Sequence, residues 1–410
     1  MKDLLPADMA RFRRVEDVFR ESCSRFGYEE VRTPTLEYLH CFTSTGTLTP
    51  QMLRSVYSFL DWDGWSGERV VLRPDGTIPL ARLFVENFAG STGVRKFSYV
   101  ENVFRFIDAS RGDRERWQCG AELLGSSLPQ ADAELIVLAL DVLERLCLGP
   151  ASVEVSHAGI LRGLLEQMDL GAEELGRVFD QIQEGDLQAL ALAEREHPRM
   201  GRFLPLLLEA KGQSSGFLKN LKASLAADFP GAGVGFDSFI QLTDLLSMLN
   251  CPYEINFGLP GGFEYYTGFM FQVSVRGEKV GGGGRYDELL PLVGGPSIPS
   301  SGFALYMDRL MAALIPAADQ RRSPGWKVLL RATDASPEGL RESFALGSEL
   351  HKEGVAAEVD LGQERGEFSH IVCAAGGSGY YEVDELTSGK KLRISSRTLE
   401  GLLEALGKAP

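Results

Sequence analysis

The chain has 410 residues, of which 44% are hydrophobic and 24% are charged. This composition excludes a largely disordered chain, and the length predicts a globular protein of two to three domains. The formal net charge of −15 argues against broad, non-specific binding of nucleic acid, although a local basic patch is compatible with it. The six cysteines form no CxxC pair, and no apolar run has the length of a membrane helix. We therefore expect a cytoplasmic protein with reduced thiols, no metal site and no membrane contact.

The first part of the chain carries the pattern of a long helix followed by strands. Apolar residues recur at intervals of three or four over residues 8–26, which predicts an amphipathic helix that ends at Gly27. Asp132 has the position of an N-cap for a second helix that runs to about residue 147. Apolar and alternating stretches predict three strands, at 68–72, 95–107 and 117–125.

The second part of the chain predicts a helical insertion, further strands and a small domain. Residues 158–247 are rich in Leu, Ala and Glu and read as helical, and residues 316–325 have the composition of a linker. We therefore expect a core domain over 1–320, with the insertion at about 158–247, and an α/β domain over 326–410. Strands are predicted at 253–257, 265–276 and 301–306, around the glycine run 281–284.

Polar side chains share one face of the predicted strand 117–125. Alternation places Gln118, Gly120 and Glu122 on one face and the apolar residues on the other. Because Gly120 has no side chain, it leaves a gap between an amide and a carboxylate, an arrangement that suits a small polar ligand. A solvated sheet face would carry the same polar residues, so both interpretations remain open at this point.

Other candidate residues lie in turns and near strand ends. Asp75 and Thr77 occupy the turn LRPDGT, which is either an ordinary turn or part of a site. Arg105 lies among apolar residues where an unpaired guanidinium would be costly, so we expect it to meet an acidic side chain or a ligand phosphate. Arg309 is predicted at a strand-to-helix junction, where an acidic neighbour could also pair with it. Tyr266 belongs to a predicted strand beside the glycine run, whose backbone can approach a ligand closely.

The order and spacing of these segments resemble the catalytic core of class II aminoacyl-tRNA synthetases, specifically the histidyl branch, over nearly the whole chain. Residues 27–37 resemble the first class motif, VFRFI with the charged loop after it resembles the second, and SGFALYMDRL resembles the third. LRPDGT, WQCGAE, EYYTG and GGGGRYDEL match segments particular to the histidyl branch. The resemblance implies an α+β fold in which an antiparallel sheet is flanked by helices.

The resemblance also implies a pocket for free histidine. In the histidyl branch, the positions that match Asp75, Thr77 and Gln118 bind the α-ammonium group. The positions that match Glu122 and Tyr266 bind the imidazole.

Two positions depart from the synthetase pattern. Gly261 stands where histidyl-tRNA synthetases carry an arginine that stabilises charge on the reacting carboxylate and α-phosphate. Loss of such a preorganised cation typically costs orders of magnitude in rate. Ile107 stands where the second motif carries a glutamate that contacts adenine. Arg105 and Arg309 match the two class arginines that grip ATP phosphates, so the resemblance implies a remnant of a nucleotide or phosphate site at these residues.

The C-terminal region departs from the synthetases as well. Only GQERGEF joins the predicted strands 355–361 and 369–374, where a complete anticodon-binding domain of this branch has a helix. Residues 326–410 contain ten Lys and Arg against fourteen Asp and Glu, which makes a poor surface for tRNA.

This pattern of losses resembles the regulatory subunits of ATP phosphoribosyltransferase, which are synthetase paralogues in histidine biosynthesis. LRPDGTIPLARL resembles their form of the segment more than that of a synthetase, which has Glu at the position of Asp75. The resemblance implies no catalysis by this chain, no cofactor, and dimerisation through residues 27–37. It implies a hetero-octamer with a short catalytic subunit, which the chain activates and makes sensitive to allosteric inhibition by L-histidine. The alternative is a histidyl-tRNA synthetase, active or degenerate.

Overall fold

A computed structural model describes most of the chain, which forms two compact units, Met1–Leu314 and Ile315–Pro410. Gly261, Ile107 and the predicted linker 316–325 lie outside the described residues. The described residues are 3–44, 56–62, 67–106, 114–166, 207–226, 235–259, 266–314, 327–332, 336–362, 368–374, 380–386, 391–394 and 398–407.

The first unit is built on a main sheet that has nine strands in the described part of the chain. Within that part, six of its eight neighbouring strand pairs are antiparallel. In the spatial order given below, the first two strands pair in parallel, and so do the seventh and eighth. This mainly antiparallel sheet confirms the predicted α+β fold. In spatial order its strands are β1 (Glu29–Glu30), β5 (Arg95–Phe104), β6 (Glu115–Leu124), β12 (Ser300–Tyr306), β11 (Glu278–Arg285), β10 (Phe269–Val275), β7 (Ala151–His157), β9 (Glu254–Asn256) and β8 (Lys211–Gly212).

Helices cover both faces of the main sheet. The predicted first helix is confirmed, and Gly27, at φ +80°, ends it in the left-handed conformation that glycine adopts easily. Helices also occupy most of the described parts of the predicted insertion, which in addition contain the short strand Lys211–Gly212; residues 167–206 and 227–234 lie outside the description. The helices of this unit include α1 (Pro6–Arg25), α2 (Leu39–Ser44), α3 (Thr77–Phe88), α4 (Pro129–Arg145), α5 (Ala158–Glu166), α6 (Ser215–Ala226), α7 (Phe236–Met248), α8 (Leu289–Leu292) and α9 (Met307–Ala313).

Alternation along β6 separates two hydrophobic cores. Cys119, Ala121 and Leu123 face the larger core, which α1 and α4 help to form. Leu124 faces a smaller core together with residues of α3. Glu122 has the parity of Leu124, so the predicted polar face of this strand lies toward the smaller core.

A small sheet follows the first-motif segment. It joins β2 (Leu36–Tyr38), β4 (Gly67–Leu72) and β3 (Ser58–Trp62) in antiparallel pairs. All five residues of β3 are exposed, and the side chain of Trp62 is 61% exposed. The small sheet therefore presents apolar side chains to the outside of this unit.

The second unit contains a mixed sheet with helices, as the sequence predicts. The first strand in chain order, Lys327–Ala332, has a parallel neighbour on each side, and the last two strands continue antiparallel. Residues 363–367 lie outside the description, so the loss of a helix between the second and third strands of this unit stays a prediction. In spatial order the strands are β14 (Ala356–Val359), β13 (Lys327–Ala332), β15 (His370–Ala374), β16 (Tyr381–Glu385) and β17 (Lys391–Ile394), and the helices are α10 (Pro337–Lys352) and α11 (Leu399–Ala405).

Two local predictions are wrong. Asp132 is not the N-cap of α4; Leu128 has that position, and Asp132 is buried in the first turn, where it forms an ion pair with Arg285 of β11. β10 begins at Phe269, so Tyr266 precedes the strand on which the sequence places it. Among the described helices, none combines the length and apolar character of a membrane span.

Candidate functional site

Arg73 anchors the turn that carries the first candidate residues. Its guanidinium is buried and lies 2.7 Å from Glu101 Oε2, measured from Nη1. Nη1 also donates to the carbonyl oxygen of Thr33 (2.8 Å), and Nε donates to the carbonyl oxygen of Asn102 (2.7 Å). Arg73 thereby ties the first-motif segment, the LRPDGT turn and β5 together. This pair was not among the predicted site residues, although Glu101 has the same parity along β5 as buried Phe97.

Asp75 acts on the start of α3. Its Oδ1 accepts the backbone N–H groups of Thr77 (2.8 Å) and Ile78 (3.1 Å), which have no partner within the helix. Burial raises the pKa of Asp75, while these N–H groups and the nearby Arg105 guanidinium act in the opposite direction. The turn therefore has a structural role and at the same time places a carboxylate close to Arg105.

Glu122 lies at the centre of a closed hydroxyl cluster, which we define as Glu122, Thr77, Tyr99 and Tyr286. Oε1 accepts from the Thr77 hydroxyl (2.9 Å) and from the Tyr99 hydroxyl (3.2 Å), and Oε2 accepts from the Tyr286 hydroxyl. Glu122 has no exposed surface. Burial raises its pKa to about 8, although the three hydroxyl donors favour the ionised form. Both tyrosines were missed by the sequence analysis.

The gap predicted beside Gly120 is filled by protein. A Cβ atom at Gly120 would lie 2.0 Å from Cζ of Tyr99, and one at Gly76 would lie 2.5 Å from Cε2 of the same ring. The two glycines make room for this tyrosine, so the ring of Tyr99 fills the gap between Gln118 and Glu122 in this structure. Tyr99 stands directly opposite Gly120 in the β5–β6 register, which only the strand pairing could reveal.

The glycine run has a similar explanation. Residues 281–284 lie inside β11, between two antiparallel neighbours. A Cβ atom at Gly283 would lie 2.1 Å from the carbonyl oxygen of Gly302, and one at Gly302 would lie 1.6 Å from Oε2 of Glu122. These glycines therefore permit close approach of neighbouring strands and of a buried carboxylate, where the sequence left open the approach of a ligand.

A second region, the basic cavity, lies at the ends of β5 and β6. Its volume is about 240 Å³. Burial and the nearby Arg309 lower the pKa of the half-buried Lys279 amine. Four of its lining side chains are cationic and one is a carboxylate, in a chain whose net charge is −15. The lining residues are Val103, Arg105, Arg116, Trp117, Gln118, Lys279, Tyr306, Asp308 and Arg309.

Three predicted site residues meet in the basic cavity. The side-chain oxygen of Gln118 is buried and finds no hydrogen-bond partner among the described residues. Arg105 is exposed at the end of β5, so the burial expected for it is wrong, because the chain leaves the sheet there. Arg309 is also exposed, and its Nη1 donates to the carbonyl oxygen of Lys279 (2.8 Å). Lys279 and Arg116 were not predicted as site residues.

Tyr266 lies near the closed hydroxyl cluster without bonding to Glu122 in this structure. Its ring is close to Gly284 of β11, and its hydroxyl, when ionised, would add to the raised pKa of Tyr286. The predicted residues thus fall into two groups. Thr77, Glu122 and Tyr266 lie at or beside the closed hydroxyl cluster, Gln118 and the two arginines line the basic cavity, and Asp75 lies between them.

Comparison with known proteins identifies the family of this chain. The family model described as histidyl-tRNA synthetase matches residues 1–310. A Dehalococcoides mccartyi protein named ATP phosphoribosyltransferase regulatory subunit is 44% identical over 397 residues, which cover 97% of this chain and 95% of that protein. The chain belongs to the family of ATP phosphoribosyltransferase regulatory subunits. This confirms the resemblance inferred from the motifs.

The regulatory-subunit family shares its ancestry with the tRNA ligases. The histidine–tRNA ligase of Archaeoglobus fulgidus is 34% identical over 369 residues, which cover 88% of this chain and 84% of the ligase. A crystal structure from Bacillus halodurans, titled as an ATP phosphoribosyltransferase regulatory subunit/histidyl-tRNA synthetase, superposes with a TM-score of 0.76 at 24% identity. It covers 92% of this chain and 97% of its own. The fold is therefore that of the histidyl branch of class II synthetases.

Proposed function

We propose that this chain regulates a short-form ATP phosphoribosyltransferase in the cytoplasm. It binds the catalytic subunit, which joins ATP to phosphoribosyl pyrophosphate, raises its activity, and transmits feedback inhibition by histidine. The observation that carries this proposal is the 44% identity with a regulatory subunit over 97% of the chain, against 34% identity with a tRNA ligase over 88%.

Free L-histidine is the proposed effector. Asp75, Thr77 and Gln118 take the α-ammonium group, and Glu122 and Tyr266 take the imidazole. The buried oxygen of Gln118, which has no partner among the described residues, supports this role because an ammonium N–H group would satisfy it. An unpaired polar group in a pocket also penalises ligands that cannot pair with it.

Glu122 gives the proposed pocket two states. In this structure three hydroxyl groups donate to its oxygens and the residue has no exposed surface, so an imidazole N–H can reach it only if the cluster opens. Exchange of a hydroxyl donor for the ligand changes the contacts of β5, β11 or α3. A coupling of about 1–3 kcal/mol between histidine and the partner is typical of such a device.

The basic cavity is the proposed remnant of the nucleotide site. Arg105 and Arg309 hold phosphate there, together with Lys279 and Arg116. The excess of cations over carboxylates in its lining supports an anionic ligand.

We propose that the chain does not charge tRNA. Gly261 and Ile107 replace the catalytic cation and the adenine contact of the ligases. The second candidate function, histidyl-tRNA synthetase activity, is favoured by the 34% identity with a ligase and by the two arginines that remain. Histidine-dependent pyrophosphate exchange by the pure protein decides between them: we expect background rates, and exchange at a rate typical of ligases would reverse the assignment.

A homodimer through residues 27–37 is the proposed building block, and four copies join four catalytic subunits. The exposed apolar side chains of the small sheet, which directly follows this segment, support an interface there. These side chains are Leu36, Tyr38, Phe59, Leu60 and Trp62.

The test combines this chain with a purified short phosphoribosyltransferase. We expect light scattering to show a complex larger than either component, transferase activity well above that of the catalytic subunit alone, and loss of that activity when histidine is added. Two unchanged species with unaltered transferase activity would refute the proposal.

A thermal melt tests the effector separately. Histidine at millimolar concentration should raise Tm, because any ligand of the native state stabilises it. A clear rise with another amino acid and none with histidine would refute the pocket assignment.

A further inference from the structure

A groove that the proposed regulation does not use lies between the beginning of α1, the beginning of β6 and α9. Its volume is about 540 Å³. Phe12, Trp117, Met307 and Met311 form an apolar floor, and the Trp117 ring packs edge-on against Phe12 with centroids 5.1 Å apart. Trp117 has the parity of the core-facing residues of β6, so the groove extends away from the face that carries Gln118. The groove and the basic cavity share three lining residues, Arg116, Trp117 and Asp308.

The rim of this groove is acidic. It carries two arginines, of which Arg11 is already paired with Asp8 at 2.5 Å. The groove and the basic cavity therefore present opposite charge on neighbouring surfaces. The four rim carboxylates belong to Asp3, Asp8, Glu115 and Asp308.

An unsatisfied donor lies in the same groove. Nε of Arg11 is buried and has no hydrogen-bond partner in the described part of the chain. A buried donor without an acceptor is costly, and an oxygen acceptor from outside would remove that cost. Leu4, which lines the groove, is 36% exposed and the next residue, Leu5, is 64% exposed, so apolar surface continues along the segment before α1.

We propose that this groove docks a polypeptide segment of the short phosphoribosyltransferase. The segment inserts an apolar side chain over the methionines, which adapt their shape to a partner. Lys or Arg residues on either side of it meet the acidic rim, and a backbone carbonyl accepts the Arg11 Nε–H. An apolar anchor, basic flanks and a carbonyl acceptor together are features of a peptide chain. The identity of the partner rests on the proposed function.

Ala312 provides a matched pair of variants for the test. It is exposed on α9 and lines the groove. Ala312→Lys and Ala312→Glu introduce side chains of similar length and good helix propensity but opposite charge. In a titration of the full chain with the purified transferase at low salt, we expect Ala312→Lys to weaken binding about tenfold and Ala312→Glu to stay within about twofold of the unchanged chain. High salt should reduce the difference.

A second pair of variants controls for distortion of α9 by the substitutions at Ala312. Asp3→Lys reverses a rim charge outside any helix and should weaken binding about threefold. Asp17→Lys makes the same charge change at an exposed position of α1 outside the groove, and should leave binding unchanged. In one outcome the unchanged chain binds the transferase while the two members of a pair, Ala312→Lys with Ala312→Glu or Asp3→Lys with Asp17→Lys, bind with equal affinity. That result would overturn the docking assignment for this groove and leave the proposed function standing. Failure of the unchanged chain to bind the transferase would overturn the proposed function and this docking assignment with it.

Discussion

Glu122 and Gln118 lie on the same face of one strand, four residues apart, yet their surroundings are opposite. Glu122 is enclosed, and three hydroxyl groups donate to its oxygens. Gln118 lines a cavity, and its buried oxygen has no partner among the described residues. β6 therefore carries residues of two kinds of surroundings. The members of the closed hydroxyl cluster satisfy one another's hydrogen bonds and stabilise the fold, whereas the basic cavity contains a buried acceptor without a partner among the described residues.

Removal of the central carboxylate should have the largest effect. Glu122→Ala leaves three buried hydroxyl groups without their acceptor, and we expect the free energy of unfolding to fall by about 4 kcal/mol or more. Denaturant titration measures this loss, and the rise of Tm with histidine should disappear as well. Glu122→Gln keeps one acceptor oxygen and should cost less than half as much. Equal stability of the alanine variant and the unchanged chain would break the comparison.

The Arg73–Glu101 pair extends the comparison to a buried ion pair. Arg73→Met leaves the Glu101 carboxylate buried without its cation, and we expect a loss of about 3–5 kcal/mol in the free energy of unfolding. Lys222→Met removes a cation from a solvent-exposed pair with Asp237 and should cost less than about 1 kcal/mol. Similar losses for both variants would show that burial does not set the cost.

The closed hydroxyl cluster should also make stability depend on pH. Because the pKa of Glu122 is raised to about 8, the folded carboxyl retains a proton that the unfolded chain releases at lower pH. The free energy of unfolding should therefore fall as the pH rises from about 4.5 to about 8, by up to about 1.4 kcal/mol per pH unit. His157, whose pKa burial lowers from 6.5 to about 4, has the opposite effect, chiefly between about pH 4 and 6.5, so the contribution of Glu122 is clearest between about pH 7 and 8. Denaturant titrations across the window should give a flatter profile for Glu122→Gln; an identical slope would assign it to another group.

Substitution of Gln118 should give the smallest change in the free energy of unfolding and a large change in the rise of Tm with histidine. Gln118→Leu removes a buried oxygen that has no partner, so we expect the free energy of unfolding to stay level or rise by about 1 kcal/mol. The rise of Tm with histidine should be lost, because the proposed ammonium contact is gone. Strong destabilisation of Gln118→Leu would show that the Gln118 side chain already has hydrogen-bond partners, as Glu122 does.

The sequence predicted the parts of this site that depend on local pattern. The period of two along residues 117–125 correctly separated Cys119 and Ala121 from Glu122, because side-chain direction in a strand follows from position alone. The helix over 8–26 was predicted to within two residues at its start, since its apolar spacing and Gly27 are both local signals.

The errors come from contacts between distant segments. Gly120 looked like space for a ligand until the β5–β6 register placed the ring of Tyr99 over it. Asp132 has the residue type of a helix cap, but the buried Arg285 of a distant strand recruits it. Arg105 has apolar neighbours in sequence that do not surround it in space. Pairing between separate segments decides the first two cases, across 21 residues for Tyr99 and Gly120 and across 153 residues for Asp132 and Arg285, and a single sequence does not specify it.

The position of β12 in the main sheet has a consequence for synthesis of the chain. β12 pairs with β6, whose last residue, Leu124, precedes Tyr306 by 182 residues. At about 5–20 residues per second, the ribosome needs about 10–40 s to complete β12 after it has completed β6. During that time one edge of β6, with its ladder of N–H and C=O groups, has no native partner. Slower translation of residues 125–306 prolongs this exposure, so the yield of folded protein in the cell should depend on chaperones that cover unpaired strand edges.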